Sequence, residues 1–287
     1  DNTTMIQMAD KKNEIALTPT GINSKLININ NNTDISNIDV IFPVLHGPFG
    51  EDGTIQGLAK MANIPCVGAG IPGSAIGMDK DIMKRLLRDA GIQTAKFITM
   101  TKDTNKSYAY NQIVKQLGKL FFVKPANLGS SVGINKVKDK AGYVKAVEEA
   151  FSYDNKIIIE EQITGREIEC AILGNENPIA SVAGEIIPTD DFYSYNAKYI
   201  DENGANLIIP AKISDKLLKK VQKISLKTFK TLECRGMARV DMFITHTDEI
   251  IINEINTIPG FTKISMYPKL WEYSGIPYQE LITKLIL

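Results

Sequence analysis

The 287-residue sequence has little of what marks secreted, membrane-spanning or nucleic-acid-binding proteins. Its three cysteines stand far apart without a CxxC pair, which argues against a disulfide framework and for a reducing, cytoplasmic compartment. No apolar run reaches the roughly 18 residues of a membrane span, and the polar first 20 residues lack a signal-peptide core. Basic and acidic residues number 33 each, so no excess of positive charge indicates a nucleic-acid partner. We therefore expect a globular protein with neither a membrane nor a nucleic-acid partner.

The order of predicted elements indicates a mixed α/β (α+β) chain with more than one packed unit, which its length allows. An apolar run at residues 40–45, a helical pattern at 54–63 and a second apolar run near residue 66 predict a parallel α/β layer. The predicted units are residues 1–79, 80–164 and 165–287. The polar stretch 28–34 predicts a loop, and the irregular segment 189–206 predicts an active-site lid.

Two short segments near the C-terminus carry the strongest chemical pattern. Arg239 and Asp241 are two residues apart on a predicted strand, so both face one side of it. Glu254 and Asn256 have the same spacing on the next strand. A hairpin turn at residues 245–248 would bring Asp241, Glu254 and Asn256 together, and their oxygens suit magnesium. The alternative is an ordinary hairpin with a polar solvent face.

Four loops carry weaker patterns. Small residues in the loop 124–133 would let backbone amides approach phosphate oxygens, with Lys124 as a point charge, although the Walker spacing is absent. The others are the turn at 46–53 where a strand should meet a helix, the acidic strand end at 160–167, and the Pro-Gly turn at 256–262. A plain turn, a capped helix or a solvated charge run would each explain one of these segments in isolation.

The order of these segments along the chain is far more specific than any one of them. The motifs are HGPFGEDGTIQG from His46, MDK at 78–80, KPANLGSSVG from Lys124, EEQITGREIE from Glu160, YSYNAKY, ARVDMF, and NEINTIPGFTKISMYPKLW. Together they resemble the ATP-grasp superfamily and, within it, the D-alanine–D-alanine ligases, from about residue 40 to the C-terminus. The resemblance implies an N-terminal, a central and a C-terminal domain, with ATP between the last two.

The resemblance also implies a role for each matching residue. Assigned to ATP and metal are Lys80, Lys124 and Lys198 for the phosphates, Glu160, Glu161, Ile163 and Glu167 for adenine and ribose, and Asp241, Glu254 and Asn256 for two magnesium ions, which manganese could replace. Assigned to the reaction are Arg239 and Gly260 for an oxyanion, Ser130 and Tyr199 for tying the mobile loop to the substrate site, His46 for the first D-alanine, and Ser265 and Met266 for the carboxylate of the second.

The implied reaction joins two D-alanines through a D-alanyl phosphate, for peptidoglycan precursor synthesis in the cytoplasm by a homodimer. One departure stands out, because the family's glutamate for the first D-alanine's ammonium should precede Asp1. We expect that the printed sequence is incomplete at its start. Two alternatives stay open: a sister ligase that uses D-serine or D-lactate, and an inactive ATP-binding relative.

Overall fold

The computed structural model describes residues 14–18, 25–36, 38–103, 109–129, 132–188, 205–262 and 264–287. The strands in this part of the chain are β1 (Ile15–Thr18), β2 (Lys25–Asn28), β3 (Thr33–Ser36), β4 (Phe97–Thr101), β5 (Phe121–Pro125), β6 (Asn135–Val137), β7 (Lys156–Glu161), β8 (Arg166–Leu173), β9 (Ile179–Pro188), β10 (Ala205–Ile208), β11 (Met237–Ile244) and β12 (Ile250–Asn256). The helices are α1 (Thr54–Met61), α2 (Ile71–Met78), α3 (Lys80–Asp89), α4 (Tyr110–Leu117), α5 (Lys140–Tyr153), α6 (Asp215–Thr231), α7 (Met266–Tyr273) and α8 (Tyr278–Ile286).

An antiparallel five-stranded sheet of order β10-β9-β8-β11-β12 forms the C-terminal layer. Its strands bury both faces, because alternate side chains point to opposite sides. On β8, Cys170 and Ile172 belong to the core under α3 and α6, whereas Ala171 and Leu173 belong to the core under α7 and α8. The second face is apolar only where these last helices cover it, and it becomes charged further along the strands.

A second antiparallel sheet, of order β4-β7-β5-β6, has its own core. Phe121 and Val123 of β5 and Ile157 and Ile159 of β7 pack against α4 and α5 in this core. The preceding helix α3 begins at Asp79, whose carboxylate accepts the backbone N–H groups of Asp81 and Ile82. Helix α3 contributes Met83 and Leu87 to the core of the other sheet. It therefore links the two layers.

The predicted strand at residues 40–45 is wrong. Only Ile41 pairs, in a parallel bridge with Cys66, while Val44 and Leu45 are exposed. A single bridge cannot extend the ladder, and within the described part of the chain no further neighbour pairs with this segment. The parallel direction that was predicted for the two segments is nevertheless the direction of the bridge.

The small sheet β1-β2-β3 corrects another prediction. The stretch 28–34 was predicted to be a loop, but only its middle forms a turn, and Thr33 begins a strand that pairs with β2. Asn28 and Asn31 side chains accept backbone N–H groups two residues on, which favours the turn locally.

No pattern in the sequence predicted α2, α7 or α8. The predicted strand at 156–161 is confirmed as β7.

Candidate active site

The pairing of β11 with β12 creates the central cluster of the site. Asp241 lies directly opposite Glu254, and Arg239 lies opposite Asn256, so all four side chains share one face of the sheet. The register then shifts, because Met242 pairs with Ile252. The extra residue makes a bulge, a feature that often re-aims side chains beside active sites. The predicted convergence of the two segments is confirmed by this register.

Hydrogen bonds hold the cluster together. Arg239 binds Asp241 with two donors, Nε to Oδ1 at 2.8 Å and Nη2 to Oδ2 at 2.7 Å. Asn256 Nδ2 also donates to Oδ2 of Asp241, at 2.9 Å. On β8, the carboxylate of Glu169 lies 2.9 Å from Arg239 Nε. Burial alone would lower the pKa of Arg239, but Asp241 and Glu169 outweigh it and raise this pKa, so the guanidinium stays charged.

The donor set of the cluster fits magnesium. Asp241 and Glu254 supply two carboxylates, and Asn256 uses its Nδ2 toward Asp241, which leaves the amide oxygen as its metal-binding atom. The described residues contain no group of three His, Cys, Asp or Glu side chains that could hold a metal. Two carboxylates and one amide suit an ion that completes its shell with water and substrate phosphates, as magnesium commonly does.

Lys80 lies beside this cluster at the first position of α3. Its Nζ donates to the backbone oxygen of Leu128 at 2.7 Å and lies 3.7 Å from Oε2 of Glu254. Its backbone N–H donates to Ala126 O at 3.0 Å. Lys80 therefore joins the first half of the small-residue loop to the cluster, and its side chain is almost fully buried. Residues 126–129 and the carboxylates are brought to one place, as the phosphate-loop interpretation requires.

Lys124 and Glu160 form a second ion pair, at 2.5 Å, between β5 and β7. The other carboxylate oxygen of Glu160 lies 2.5 Å from Nζ of Lys84 on α3. Burial would raise the pKa of Glu160, but attraction to Lys124 and Lys84 outweighs it and lowers the pKa to about 2. Glu160 is thus a buried, ionised group whose two oxygens are both engaged by lysines.

The remaining residues of the predicted adenine and ribose set follow at the same strand end. Glu161 accepts the backbone N–H of Lys96 at 2.7 Å, and its own N–H donates to Lys96 O at 3.0 Å. Ile163 lies in the connection to β8, and Glu167 lies on β8 opposite Phe243. These residues line the junction between the two larger sheets.

The turn at residues 46–53 packs against the cluster from the N-terminal side. Burial and the nearby guanidinium of Arg239 lower the pKa of His46, and the backbone of Ile258 is its hydrogen-bond partner. The carboxylate of Glu51 accepts the N–H of Gly47 at 2.6 Å. Burial raises the pKa of Glu51 to about 7, and the negative charge of Glu254 contributes to the increase. The structure therefore brings His46 to the cluster, together with a glutamate that had no predicted role.

The Pro-Gly turn leads from β12 into α7. A Cβ on Gly260 would lie 2.7 Å from Oγ of Ser265, so a side chain at this position would force the serine hydroxyl to move. Ser265 precedes the first turn of α7, and its Oγ accepts the N–H of Thr262 at 3.0 Å. Met266 is buried, and its sulfur packs against Gly184. Only the backbone of Met266 is therefore available to a ligand, at a helix N-terminus that suits a carboxylate.

Three of the predicted site residues, Ser130, Lys198 and Tyr199, lie outside the described residues, as does the predicted lid up to residue 204. Sequence reasoning missed Glu51, Lys84 and Glu169. Glu51 lies inside a motif that was recognised, so its position carried a signal. Glu169 is two residues from Glu167 on β8 and shares its face. Nothing local marked Lys84, whose partner Glu160 is 76 residues away (160 minus 84).

The two larger antiparallel sheets, with Lys80 paired to Glu254 of the five-stranded one, define the class of protein: this is the architecture of the ATP-grasp enzymes. Family models for the N-terminus and the C-terminus of D-ala D-ala ligase match residues 2–69 and 86–287. The chain belongs to the D-alanine–D-alanine ligase family, and it is an ATP-dependent ligase by that membership.

Relatives and solved structures agree with this placement. The chain is 52% identical to the D-alanine–D-alanine ligase of Shouchella clausii over 286 residues. The matched region is 100% of this chain and 78% of that protein. It is similar to the structure of the D-alanine-D-alanine ligase from Coxiella burnetii, with a TM-score of 0.80, 39% identity, and coverage of 95% and 73% of the two chains. It is also similar to VanG D-Ala:D-Ser ligase from Enterococcus faecalis, with a TM-score of 0.86, 38% identity, and coverage of 95% and 78%.

Proposed function

We propose that this protein joins two D-alanines into D-alanyl-D-alanine at the expense of ATP, through a D-alanyl phosphate, for peptidoglycan precursor synthesis. The observation that carries the proposal is the cluster of Arg239, Asp241, Glu254 and Asn256 on one sheet face, with Lys80 against it. The family membership indicates D-alanine as the substrate. The cluster contains the charged groups that phosphoryl transfer needs.

The nucleotide would lie between the two larger sheets. Lys80 and Lys124 would contact its phosphates, and the small-residue loop, which contacts Lys80 through Leu128, would cover them. Glu160, Ile163 and Glu167 would bind adenine and ribose, with Glu161 contributing its backbone. Because both oxygens of Glu160 already contact lysines, it would accept a nucleotide N–H through the remaining lone pairs of its carboxylate.

Asp241, Glu254 and Asn256 would hold two magnesium ions, with manganese as a substitute. When bound, such ions spread the negative charge of a transferring phosphoryl group. Arg239 contributes to this site by fixing Asp241 through two hydrogen bonds. Glu169 fixes Arg239 in turn. These contacts, from Glu169 through Arg239, would keep the metal-binding carboxylate of Asp241 in one orientation.

In the first step, the carboxylate of one D-alanine attacks the γ-phosphate of ATP, which releases ADP and leaves an acyl phosphate. His46 would lie near this first D-alanine, where its lowered pKa keeps the imidazole neutral at neutral pH. In the second step, the amine of the other D-alanine attacks the acyl carbon, and phosphate leaves. Arg239 and the N–H of Gly260 would stabilise the oxyanion of the tetrahedral intermediate.

The second D-alanine would be held through its carboxylate. Ser265 and the backbone of Met266 stand at the N-terminus of α7, where exposed N–H groups and the helix dipole favour an anion. Gly260 lies against Ser265, so the oxyanion donor and the carboxylate site are adjacent. This adjacency would place the incoming amine close to the acyl carbon.

An acyl phosphate reacts with water, so the site has to close during turnover. Residues 189–206 are the proposed lid, in which Lys198 would approach the γ-phosphate and Tyr199 with Ser130 would tie the lid to the substrate site. We also propose domain boundaries at residues 79/80 and 164/165, a homodimer formed through the N-terminal domain, and a cytoplasmic location. Among the described residues, no helix is both long and apolar enough to cross a membrane.

Phosphate release tests the proposal directly. The protein, saturated with ATP and magnesium, should release phosphate only when D-alanine is added, and D-alanyl-D-alanine should accumulate in equal amount. Asp241→Ala should abolish this release while circular dichroism shows an intact fold. An unchanged rate with and without D-alanine would refute the ligase assignment.

A competition experiment separates the sister activities. The similarity to VanG D-Ala:D-Ser ligase makes D-serine the relevant competitor, and D-lactate is the second. With all three present in equal amounts, the main product should be the D-alanine dipeptide. A mixed dipeptide with D-serine, or a depsipeptide with D-lactate, as the main product would assign the chain to a sister activity instead.

A further inference from the structure

Lys84 is a fully buried lysine in a place where sequence reasoning expected only a helix. It lies one turn after Lys80 on α3, and its side chain is 1% exposed. Lysines are almost never fully buried unless they are paired. The partner is Glu160, whose Oε1 lies 2.5 Å from Nζ of Lys84. The mechanism proposed above assigns Lys84 no role.

The pair is part of a three-residue chain of charges. Oε2 of Glu160 lies 2.5 Å from Nζ of Lys124, which is 13% exposed and therefore the outermost member. The chain runs from α3 through β7 to β5, so it crosses from one layer to the other. With all three groups ionised, two ammonium groups and one carboxylate give one net positive charge. Burial lowers the pKa of Lys84, and the adjacent carboxylate of Glu160 opposes that effect. Glu160 is ionised here, as its lowered pKa indicates.

The charge balance determines what Lys124 can offer to a phosphate. With Lys84 removed, Glu160 would neutralise Lys124, and the pair would offer a nearby phosphate no net positive charge, while the carboxylate of Glu160 would still repel it. Repulsion in a site of low dielectric is far stronger than in water. Lys84 compensates that carboxylate from the buried side. It also holds Glu160 so that Lys124 keeps one orientation.

We propose that Lys84 is a positioning residue for ATP, acting through Glu160 to keep Lys124 oriented and net positive toward the phosphates. The inference rests on the proposed ATP site. A plain alternative is that the pair only stabilises the fold, since buried ion pairs often have a structural role and cost much when one partner is lost. The two possibilities differ in which kinetic constant changes.

The test compares Lys84→Met with Lys84→Arg, and with Leu87→Val as the matched control. Leu87 is a fully buried residue on the same helix and does not belong to the charge chain. Lys84→Met should raise the KM for ATP and the calorimetric Kd for magnesium–ATP at least tenfold, and should change the KM for D-alanine less than twofold. Lys84→Arg should restore most of the ATP affinity. Leu87→Val should lower stability without changing the KM for ATP.

Three results would overturn the inference: a folded Lys84→Met protein with wild-type ATP affinity, an equal loss in Leu87→Val, or no recovery in Lys84→Arg. If Lys84→Met does not fold, Lys84→Gln serves in its place, because the amide still donates to Glu160 but carries no charge. The same tenfold loss is then expected, and wild-type ATP affinity would refute the inference.

The Kd is measured without D-alanine, so a wild-type protein that binds ATP but makes no dipeptide would refute only the proposed function.

Discussion

Arg239 lies between two carboxylates, Asp241 on its own strand and Glu169 on the neighbouring strand. Its Nε and Nη2 make these contacts. A lysine has the same charge but cannot bind both oxygens of Asp241 and a third group in a fixed plane. We therefore expect that the planar shape of the Arg239 guanidinium matters more for activity than its positive charge alone.

Replacement of Arg239 by lysine tests this point. Arg239→Lys should lower kcat by about 10²–10³, the usual loss when one oxyanion donor is removed, while circular dichroism stays native. Steady-state kinetics measures the effect. Arg235→Lys is the control, because Arg235 is exposed and pairs only at the surface with Glu176. Wild-type kcat in Arg239→Lys would contradict the oxyanion role.

Glu51 predicts a pH dependence of stability in the metal-free protein. Its pKa is about 7 in the folded protein, against an ordinary value of 4.5. Between these values the folded state binds more protons than the unfolded state, so stability should fall as pH rises from about 4.5 to 7. One pKa unit is about 1.4 kcal/mol, so the loss amounts to at most about 3.5 kcal/mol.

Urea unfolding in EDTA at pH 5 and pH 7.5 measures this effect. Glu51→Gln should remove most of the decline, because the amide still accepts the N–H of Gly47 but does not titrate. Glu176→Gln should keep the wild-type decline, since Glu176 is exposed. An identical pH dependence in wild type and Glu51→Gln would show that Glu51 titrates normally.

At the scale of elements, the start of α3 is the point where the two larger sheets are joined. Asp79 caps the helix with two backbone hydrogen bonds and also forms an ion pair with Lys156 on β7. The next residue, Lys80, binds the loop beside the cluster. The position of the first turn of α3 therefore determines where Lys80, a predicted phosphate-binding residue, lies.

Loss of this cap should cost more than loss of an ordinary one. Asp79→Ala should destabilise the protein by about 2 kcal/mol or more, since a cap contributes about 0.5–2 kcal/mol and Lys156 also loses the nearer of its two carboxylate partners, keeping only Asp81. Ser214→Ala removes a single cap bond, to Leu217 of α6, and should cost about 1 kcal/mol. Urea midpoints compare the two, and equal losses would mean that the ion pair with Lys156 contributes nothing.

At the scale of the whole molecule, the site lies where separate layers meet, so ligand binding should stabilise the junction. A ligand at a hundredfold excess over Kd adds about 2.7 kcal/mol, which corresponds to a rise in Tm of about 4–5 °C for a chain of this size. ATP with magnesium should produce this rise, and ATP with EDTA a smaller one. Asp241→Asn should show no difference between the two conditions in a thermal-shift assay, whereas a persisting magnesium effect would place the ion elsewhere.

The amino-acid sequence by itself determined the family, the order of most elements and the convergence of Asp241, Glu254 and Asn256. It could do so because these features depend on local spacing: side chains two apart on a strand share a face, and a short turn pairs neighbouring strands. It also predicted a strand at residues 40–45 that does not form, since an apolar run does not indicate which neighbour completes a ladder.

The tertiary structure alone decided which distant charges meet. Glu169 reaches Arg239 because β8 lies beside β11, and Lys84 reaches Glu160 because α3 packs across two sheets. The register shift beside Asp241 likewise exists only between paired strands. Such contacts join residues that are far apart along the chain, and their energy depends on burial, which only the packed molecule defines.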